Sequence, residues 1–318
     1  MELIVNLLIQ SVQMLLVVAV APLLAGVVHK LKARLLRRRG ASVLQPYRDI
    51  WRLMGKEVVL AQNASWLFRV SPYLIFAATW VAAALVPTFA GGLQFSWTAD
   101  LIAIAALLGS ARFFLALAGM DVGTSFGGLG ASREMMISSM AEPAMLMTIF
   151  ALALIAGSTQ LSSIAAYMAS PDVGLRVSLG MALVSLVIIA TAENGRVPVD
   201  NPGTHLELTM VHEAMVLEYS GRHLAMIEIA SALKLVLFMS LIACIFVPWG
   251  ISPPHAGLTA YLLGILSYLA KLSVGAVLLA LFETGQAKLR VFRVPDYLGV
   301  ALMLGLLGTL LLFVSRAL

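Results

Sequence analysis

Apolar residues run along this chain in long blocks separated by short polar connections. The blocks cover residues 4–28, 73–89, 101–120, 143–157, 175–192, 224–247, 258–282 and 297–314. Most match the roughly 20 residues an α-helix needs to cross about 30 Å of hydrocarbon. The block at 143–157 is short, and its helix is expected to begin back near Arg133. The pattern predicts an all-α polytopic membrane protein with about eight transmembrane helices, forming a single transmembrane domain over residues 1–318. No internal repeat stands out, and the loops are too short to fold alone. The first block follows Glu2 rather than a basic residue, and no small-residue cleavage signal follows it. It is therefore expected to be a retained helix, not a secretory leader.

The connection after the first block has a different pattern. Gly40 marks a turn and Pro46 a helix start. Asp49, Arg52, Lys56 and Glu57 then interleave with Ile50, Trp51, Leu53 and Met54. This spacing predicts a short amphipathic helix lying at the membrane interface. Such a helix anchors to lipid headgroups, offers a docking surface to a soluble partner, or does both.

Composition agrees with the bilayer reading. The chain is 61% hydrophobic and 12% charged, whereas soluble domains carry about 25% charged residues. Lys30, Lys32, Arg34, Arg37, Arg38, Arg39, Arg48, Arg52, Lys56 and Arg69 crowd one connection. Positive residues favour the cytoplasmic side, which puts this loop inside and, after eight spans, both termini outside. Arg133, Arg196, Arg222, Lys288, Arg290 and Arg293 fall on the same side, whereas Arg176 and Arg316 fall on the other. This asymmetry accounts for the net charge of +5. No basic surface interleaved with aromatics indicates nucleic acid. The single cysteine, Cys244, rules out an internal disulfide and cannot hold an iron–sulfur cluster.

Several charges interrupt the apolar blocks. Arg112 lies inside the third. Glu134 and Glu142 are eight residues apart and share a face if one helix spans both. Glu193 closes the fifth block, Glu228 and Lys234 lie in the sixth, and Lys271 and Glu283 in the seventh. Each costs about 2.5–3.5 kcal/mol at a helix centre, so an interior, functional position is the default expectation. Paired acids and bases at that depth suit proton relay. The bland alternative is that the acids only balance buried cations or snorkel from helix ends.

The densest polar stretch, residues 193–223, lies between two apolar blocks and holds Glu193, Asp200, Glu207, Glu213 and Glu218 with Arg196, Arg222, His205, His212 and His223. The HEAMVLE within it is not a zinc-protease motif, because the second histidine would fall at Val216. His205 and His212 alone make a weak case for a metal. SFGGLGAS at 125–132 follows an apolar block rather than a strand, so it does not indicate a dinucleotide site. No catalytic centre and no metal site is expected in this chain.

Ala192, Glu193, Asn194, Arg196, Pro198 and Asp200 form the pattern A-E-N-x-R-x-P-x-D. It resembles the signature of NADH dehydrogenase subunit 1, the respiratory complex I membrane subunit that contacts the peripheral arm. Arg133 with Glu142, Glu218-Tyr219-Ser220, the Leu44-Gln45-Pro46 run and Lys56-Glu57 fit the same family. RRGASVLQPYRD, THLELTMVHEAMVLEYSG and AKLRVFRVPD resemble a sister branch more closely. That branch is the corresponding subunit of hydrogenase-4, formate hydrogenlyase and other membrane-bound [NiFe]-hydrogenases. The resemblance covers essentially the whole chain. Complex I relatives usually carry a GPN-containing first loop and a G-E-S-E segment. Here Gly40-Ala41-Ser42 and Thr204-His205-Leu206-Glu207 stand instead, which points away from a productive quinone site.

The resemblance implies a non-catalytic membrane subunit of an oxidoreductase complex in a prokaryotic inner membrane. Its partners would be a [NiFe]-hydrogenase large subunit, an iron–sulfur small subunit, antiporter-like membrane subunits and the lipid bilayer. The [NiFe] centre and iron–sulfur clusters would sit on those partners, with no cofactor in this chain. The candidates for a proton pathway are Glu142, Glu193, Asp200, Glu207, Glu213, Glu218, Glu228, Lys234, Lys271 and Glu283. The candidates for partner docking are Arg37, Arg38, Arg39, Arg48, Asp49, Arg52, Lys56, Arg196 and Arg222. A quinone-site subunit of a complex I-like dehydrogenase and a stand-alone transporter are the competing classes. The chain lacks the paired interrupted helices of an inverted-repeat transporter.

Overall fold

The computed structural model describes residues 2–92, 96–170, 176–200, 210–253 and 256–317. Eleven α-helices form there: α1 (Glu2–Leu35), α2 (Gln45–Met54), α3 (Trp66–Leu85), α4 (Leu101–Asp121), α5 (Ser125–Ala156), α6 (Leu161–Ala169), α7 (Val177–Glu193), α8 (His212–Val216), α9 (Gly221–Phe246), α10 (Leu258–Gly285) and α11 (Val294–Ala317). No β-strand occurs among the described residues, only isolated bridges. Among the described residues seven helices are long and apolar enough to cross a membrane, and α7 is a shorter apolar helix. The expected set of about eight therefore corresponds to α1, α3, α4, α5, α7, α9, α10 and α11.

Local chemistry sets the helix ends. Ser65 caps α3 by accepting from the Leu67 amide, and Asp100 caps α4 by accepting from Ile102. Thr124 caps α5 through the Gly127 amide. Each side chain satisfies an amide that has no partner inside its helix. Gly157 ends α5 in the left-handed region at φ 73°, which a glycine adopts without penalty.

The fold differs from expectation in two places. α5 starts at Ser125, eight residues before Arg133, and runs unbroken through Pro143. Proline reads as a helix start in a sequence, but a packed membrane helix tolerates it internally. The second difference is α6, which the sequence did not signal. Its nine residues are too few to span a bilayer. Leu161 and Ile164 bury it against the core, and Leu161 donates to the Ala99 carbonyl.

Glycine lets three elements close around the future site. A side chain on Gly127 would collide with the Gly119 carbonyl, so α4 and α5 meet nearly backbone to backbone. A Cβ on Gly130 would come within 2.9 Å of the Val211 carbonyl oxygen and of the Ala214 side chain. Gly127 and Gly130 of SFGGLGAS thus serve helix packing and the docking of α8 on α5, which is a common use of small residues in membrane helices. Toward the far end of the bundle, Thr148 and Ser185 share a hydrogen bond of 2.8 Å, and Ser185 donates to the Ala301 carbonyl. That chain ties α5, α7 and α11 together.

Candidate functional site: a buried ion network

Arg112 is the hub of the site. It sits near the middle of α4 and is only 4% exposed. Its Nε lies 3.4 Å from Glu134 and its Nη1 3.5 Å from Glu142, both on α5. Its Nη2 pairs with Glu193 at the end of α7. Glu193 also takes Lys234 of α9 at 2.9 Å, and Glu134 takes the Nδ1 of His212 in α8 at 3.0 Å. Five helices therefore contribute to one cluster. A planar guanidinium with separated nitrogens suits a hub that must reach three carboxylates.

Glu134 and Glu193 are buried, but the Glu142 side chain is 51% exposed. It lines a cavity of about 710 Å³ between α4 and α5, together with Arg112, Glu193 and Ser138. The Ser138 hydroxyl donates to Glu142 at 2.5 Å. Phe113, Phe114, Met145, Leu146 and Phe238 form the apolar walls. One carboxylate of the cluster thus reaches an opening while the others stay enclosed.

Charge counting shows what the cluster can do. Glu134, Glu142 and Glu193 face Arg112 and Lys234, leaving one negative charge if His212 is neutral. One proton, on His212 or on a carboxylate, balances the set. A cluster held this close can carry that one proton without exposing a bare charge to lipid.

A second network lies toward the arginine-rich end. Glu283, near the end of α10, accepts Lys32 of α1 at 3.0 Å and Arg196 at 3.1 Å. Lys288 pairs with Asp200 at 2.8 Å, and the Leu289 amide donates to the Pro198 carbonyl. The segment Asn194–Asp200 thereby joins the ends of α1 and α10. Only Asn194 and Gly195 separate Glu193 of the first network from Arg196 of the second.

The remaining candidates fall elsewhere. Glu213 and Glu228 are electrostatic neighbours, with Asp49 close to Glu228, and Glu218 is exposed. Among the described residues no ion pair links Glu218 or Glu228 to the Arg112 cluster. Lys271 stands apart on α10, near Cys244 of α9. Glu207, His205 and the Thr204–Glu207 run lie outside the described residues. Arg112, Glu134 and His212 join the network without being pathway candidates by sequence. Their sequence signals are the position of Arg112 inside an apolar block and the eight-residue spacing of Glu134 and Glu142.

The docking candidates lie at or near the surface with one exception. Arg37, Arg38, Arg39, Arg48, Arg52, Lys56 and Arg222 are exposed, and Asp49 is half-buried. α2 buries no residue fully, and its Trp51 is 84% exposed. The helix ends at Met54, so Lys56 and Glu57 belong to the following turn. Arg52 reaches Asp49 at 2.5 Å along the helix. Tyr47 donates to the Ala19 carbonyl and fixes α2 against α1. Arg196 is the exception: its side chain turns inward to Glu283 rather than outward to a partner.

Tyr219 and Ser220 anchor the segment that follows α2. Ser220 accepts from the Val59 amide at 2.8 Å and donates to the Val59 carbonyl at 3.0 Å. Tyr219 stacks on Phe68 with ring centroids 4.0 Å apart and donates to the Phe68 carbonyl. Burial, with the nearby Asp121, pushes the Tyr219 phenol above its ordinary range, so it stays a neutral donor. Gly221 follows at φ +54°, where a side chain would press on the Glu57 carbonyl.

An all-α bundle with a branched ion network at membrane depth and a basic amphipathic helix at one end defines a multi-pass membrane protein specialised for buried charge. The family model described as NADH dehydrogenase matches residues 8–314, and the chain belongs to that family. It is 34% identical to formate hydrogenlyase subunit 4 of Escherichia coli K12 over 285 residues, covering 89% of this chain and 91% of that protein. It is 34% identical to hydrogenase-4 component C of the same organism, covering 75% and 74% of the two chains. An NADH-quinone oxidoreductase subunit of Paraburkholderia xenovorans is more distant at 26% identity, over 73% of this chain and 67% of that one. A chain in the structure of an archaeal membrane-bound sulfane sulfur reductase shares the fold. Its TM-score is 0.80 at 21% identity, covering 98% of this chain and all of that one. The resemblance drawn from sequence motifs is thus borne out, and the hydrogenase branch is the nearer of the two compared.

Proposed function

We propose that this chain is an integral membrane subunit of an energy-converting [NiFe]-hydrogenase complex. It anchors a soluble redox arm and links electron transfer to proton or ion translocation through its buried acids. The observation that carries the reading is the match to formate hydrogenlyase subunit 4, at 34% identity over nearly the full length of both proteins. In this reading residues 1–318 form one transmembrane domain in a prokaryotic plasma membrane, with both termini outside. The surface around Arg37, Arg38, Arg39, Arg48 and Arg52 docks the arm. The [NiFe] centre and iron–sulfur clusters reside on the large and small hydrogenase subunits, and antiporter-like subunits lie alongside in the membrane. Charge or loop movement in the arm is felt first at the Glu283–Arg196 network, then at Glu193 and the Arg112 cluster. There a proton is taken up or released.

Purifying the native complex by a tag on this chain and identifying its subunits tests the proposal. A [NiFe] large subunit with an iron–sulfur small subunit is the expected result. Recovery of a complete quinone-reductase set without a hydrogenase would overturn it.

A further inference from the structure

We infer that Lys271 marks a docking surface on α10 for a transmembrane helix of a partner subunit that carries a carboxylate at mid-bilayer depth. The inference rests on the reading of this chain as one subunit of a membrane complex. It adds the place and the chemistry of one contact.

Position comes first. α10 has 28 residues, and Lys271 lies thirteen after Leu258 and fourteen before Gly285. At about 1.5 Å per residue it is about 20 Å along the axis from either end. The half-thickness of the hydrocarbon is about 15 Å, so the residue sits near its centre and its amine cannot snorkel to a headgroup.

Partners come next. Lys32 reaches Glu283, and Lys234 reaches Glu193. Among the described residues no carboxylate lies within ion-pair distance of Lys271. The acid on its own helix, Glu283, is twelve residues away and already holds Lys32 and Arg196. The ionisable neighbour of Lys271 is the Cys244 thiol, which supplies no negative charge while protonated.

The surface completes the case. α10 buries one stripe, including Tyr268, Leu272 and Ala276, against the bundle. Lys271 lies at the margin of that stripe, half-buried. Beyond it Leu263, Leu266, Val274, Leu278 and Leu281 are exposed. Leucines alone would suit lipid. A cation among them at the bilayer centre does not, because its insertion is costly unless a counter-charge meets it. A second copy of this chain does not fit: a two-fold contact sets the same patch against itself and brings Lys271 toward Lys271. An apolar helix with one Asp or Glu satisfies both the leucines and the amine.

The test uses the whole native complex with a photo-crosslinking residue in place of Val274, which is 59% exposed and one turn from Lys271. The expected adduct is a transmembrane segment of another subunit with an Asp or Glu within about one turn of the captured site. An adduct with lipid alone, with another copy of this chain, or with a segment lacking an acid overturns the inference. In a second arm, Lys271→Glu lowers recovery of the captured subunit at least about tenfold, because it faces two acids together, whereas Lys271→Arg retains it. Undiminished recovery with Lys271→Glu also overturns the inference. Lys271 is intact in the crosslinking arm, so that arm stands even if Lys271→Glu fails to insert. Recovery of the [NiFe]-containing arm in the same preparations reports separately on the proposed function.

Discussion

Arg112 of α4 and Glu193 of α7 form the central ion pair of the bundle, with their side chains 3% and 6% exposed. Glu193 also holds Lys234, and Arg112 also reaches Glu134 and Glu142. Removing either member of the pair leaves a buried charge without its partner. Arg112→Leu is expected to destabilise the subunit by about 3–5 kcal/mol, the usual cost of orphaning a buried charge. Arg112→Lys recovers only part of this, since an ammonium is a point charge without the spread of a guanidinium. Membrane yield and thermal aggregation of the purified complex measure both effects.

Glu142 should behave differently from Glu193. It is half-exposed in the cavity between α4 and α5, and Arg112 keeps two other carboxylates without it. Glu142→Gln is therefore expected to cost less stability than Glu193→Gln. Glu193→Gln is expected to fall in the range of about 3–5 kcal/mol, because Lys234 then loses its carboxylate. Equal losses of subunit yield in the two variants would show that the network is uniform rather than open at one end.

The basic surface predicts a separable defect. Charge reversal at Arg37, Arg38, Arg39, Arg48 and Arg52 is expected to detach the soluble arm while the membrane subunit remains inserted. All five are exposed, so the bundle loses nothing of its core. Co-purification of the arm from membranes of the variant is the measurement, and full retention would count against this surface.

Ser220→Ala tests the anchor behind that surface. It removes both contacts to Val59, each worth about 0.5–1.5 kcal/mol. Faster proteolysis of the segment 56–60 in membranes is expected, with the bundle itself intact. An unchanged cleavage rate would place the restraint in Tyr219 and Gly221 instead.

Much of this architecture is legible in the sequence, and what is not has physical causes. Long apolar runs report membrane helices directly, because the bilayer imposes one length on all of them. Pro143 hides the start of α5, since local sequence cannot show that neighbouring helices will stabilise a proline inside. α6 stays invisible because nine residues carry too little periodicity. Glu142, Glu193 and Lys234 are recognisable as costly charges, but their meeting at Arg112 depends on how α4, α5, α7 and α9 pack. Arg196 reads as a loop charge open to a partner. Gly195, at φ +55°, turns the chain there, and the arginine returns to Glu283. Asn194-Gly195 announces a turn, but no local pattern shows that the turn aims Arg196 at Glu283.

The central claim is that the Arg112 cluster couples redox chemistry to ion movement, and one measurement addresses it most directly. Native and Glu142→Gln complexes are reconstituted in sealed vesicles and driven at equal hydrogenase turnover with the soluble electron donor. A voltage-sensitive dye then records charge movement per hydrogen turned over. The account predicts that the Glu142→Gln complex assembles and turns over hydrogen, but moves at least about tenfold less charge, as expected when an essential proton-transfer group is lost. Charge movement per hydrogen equal to that of the native complex would contradict it.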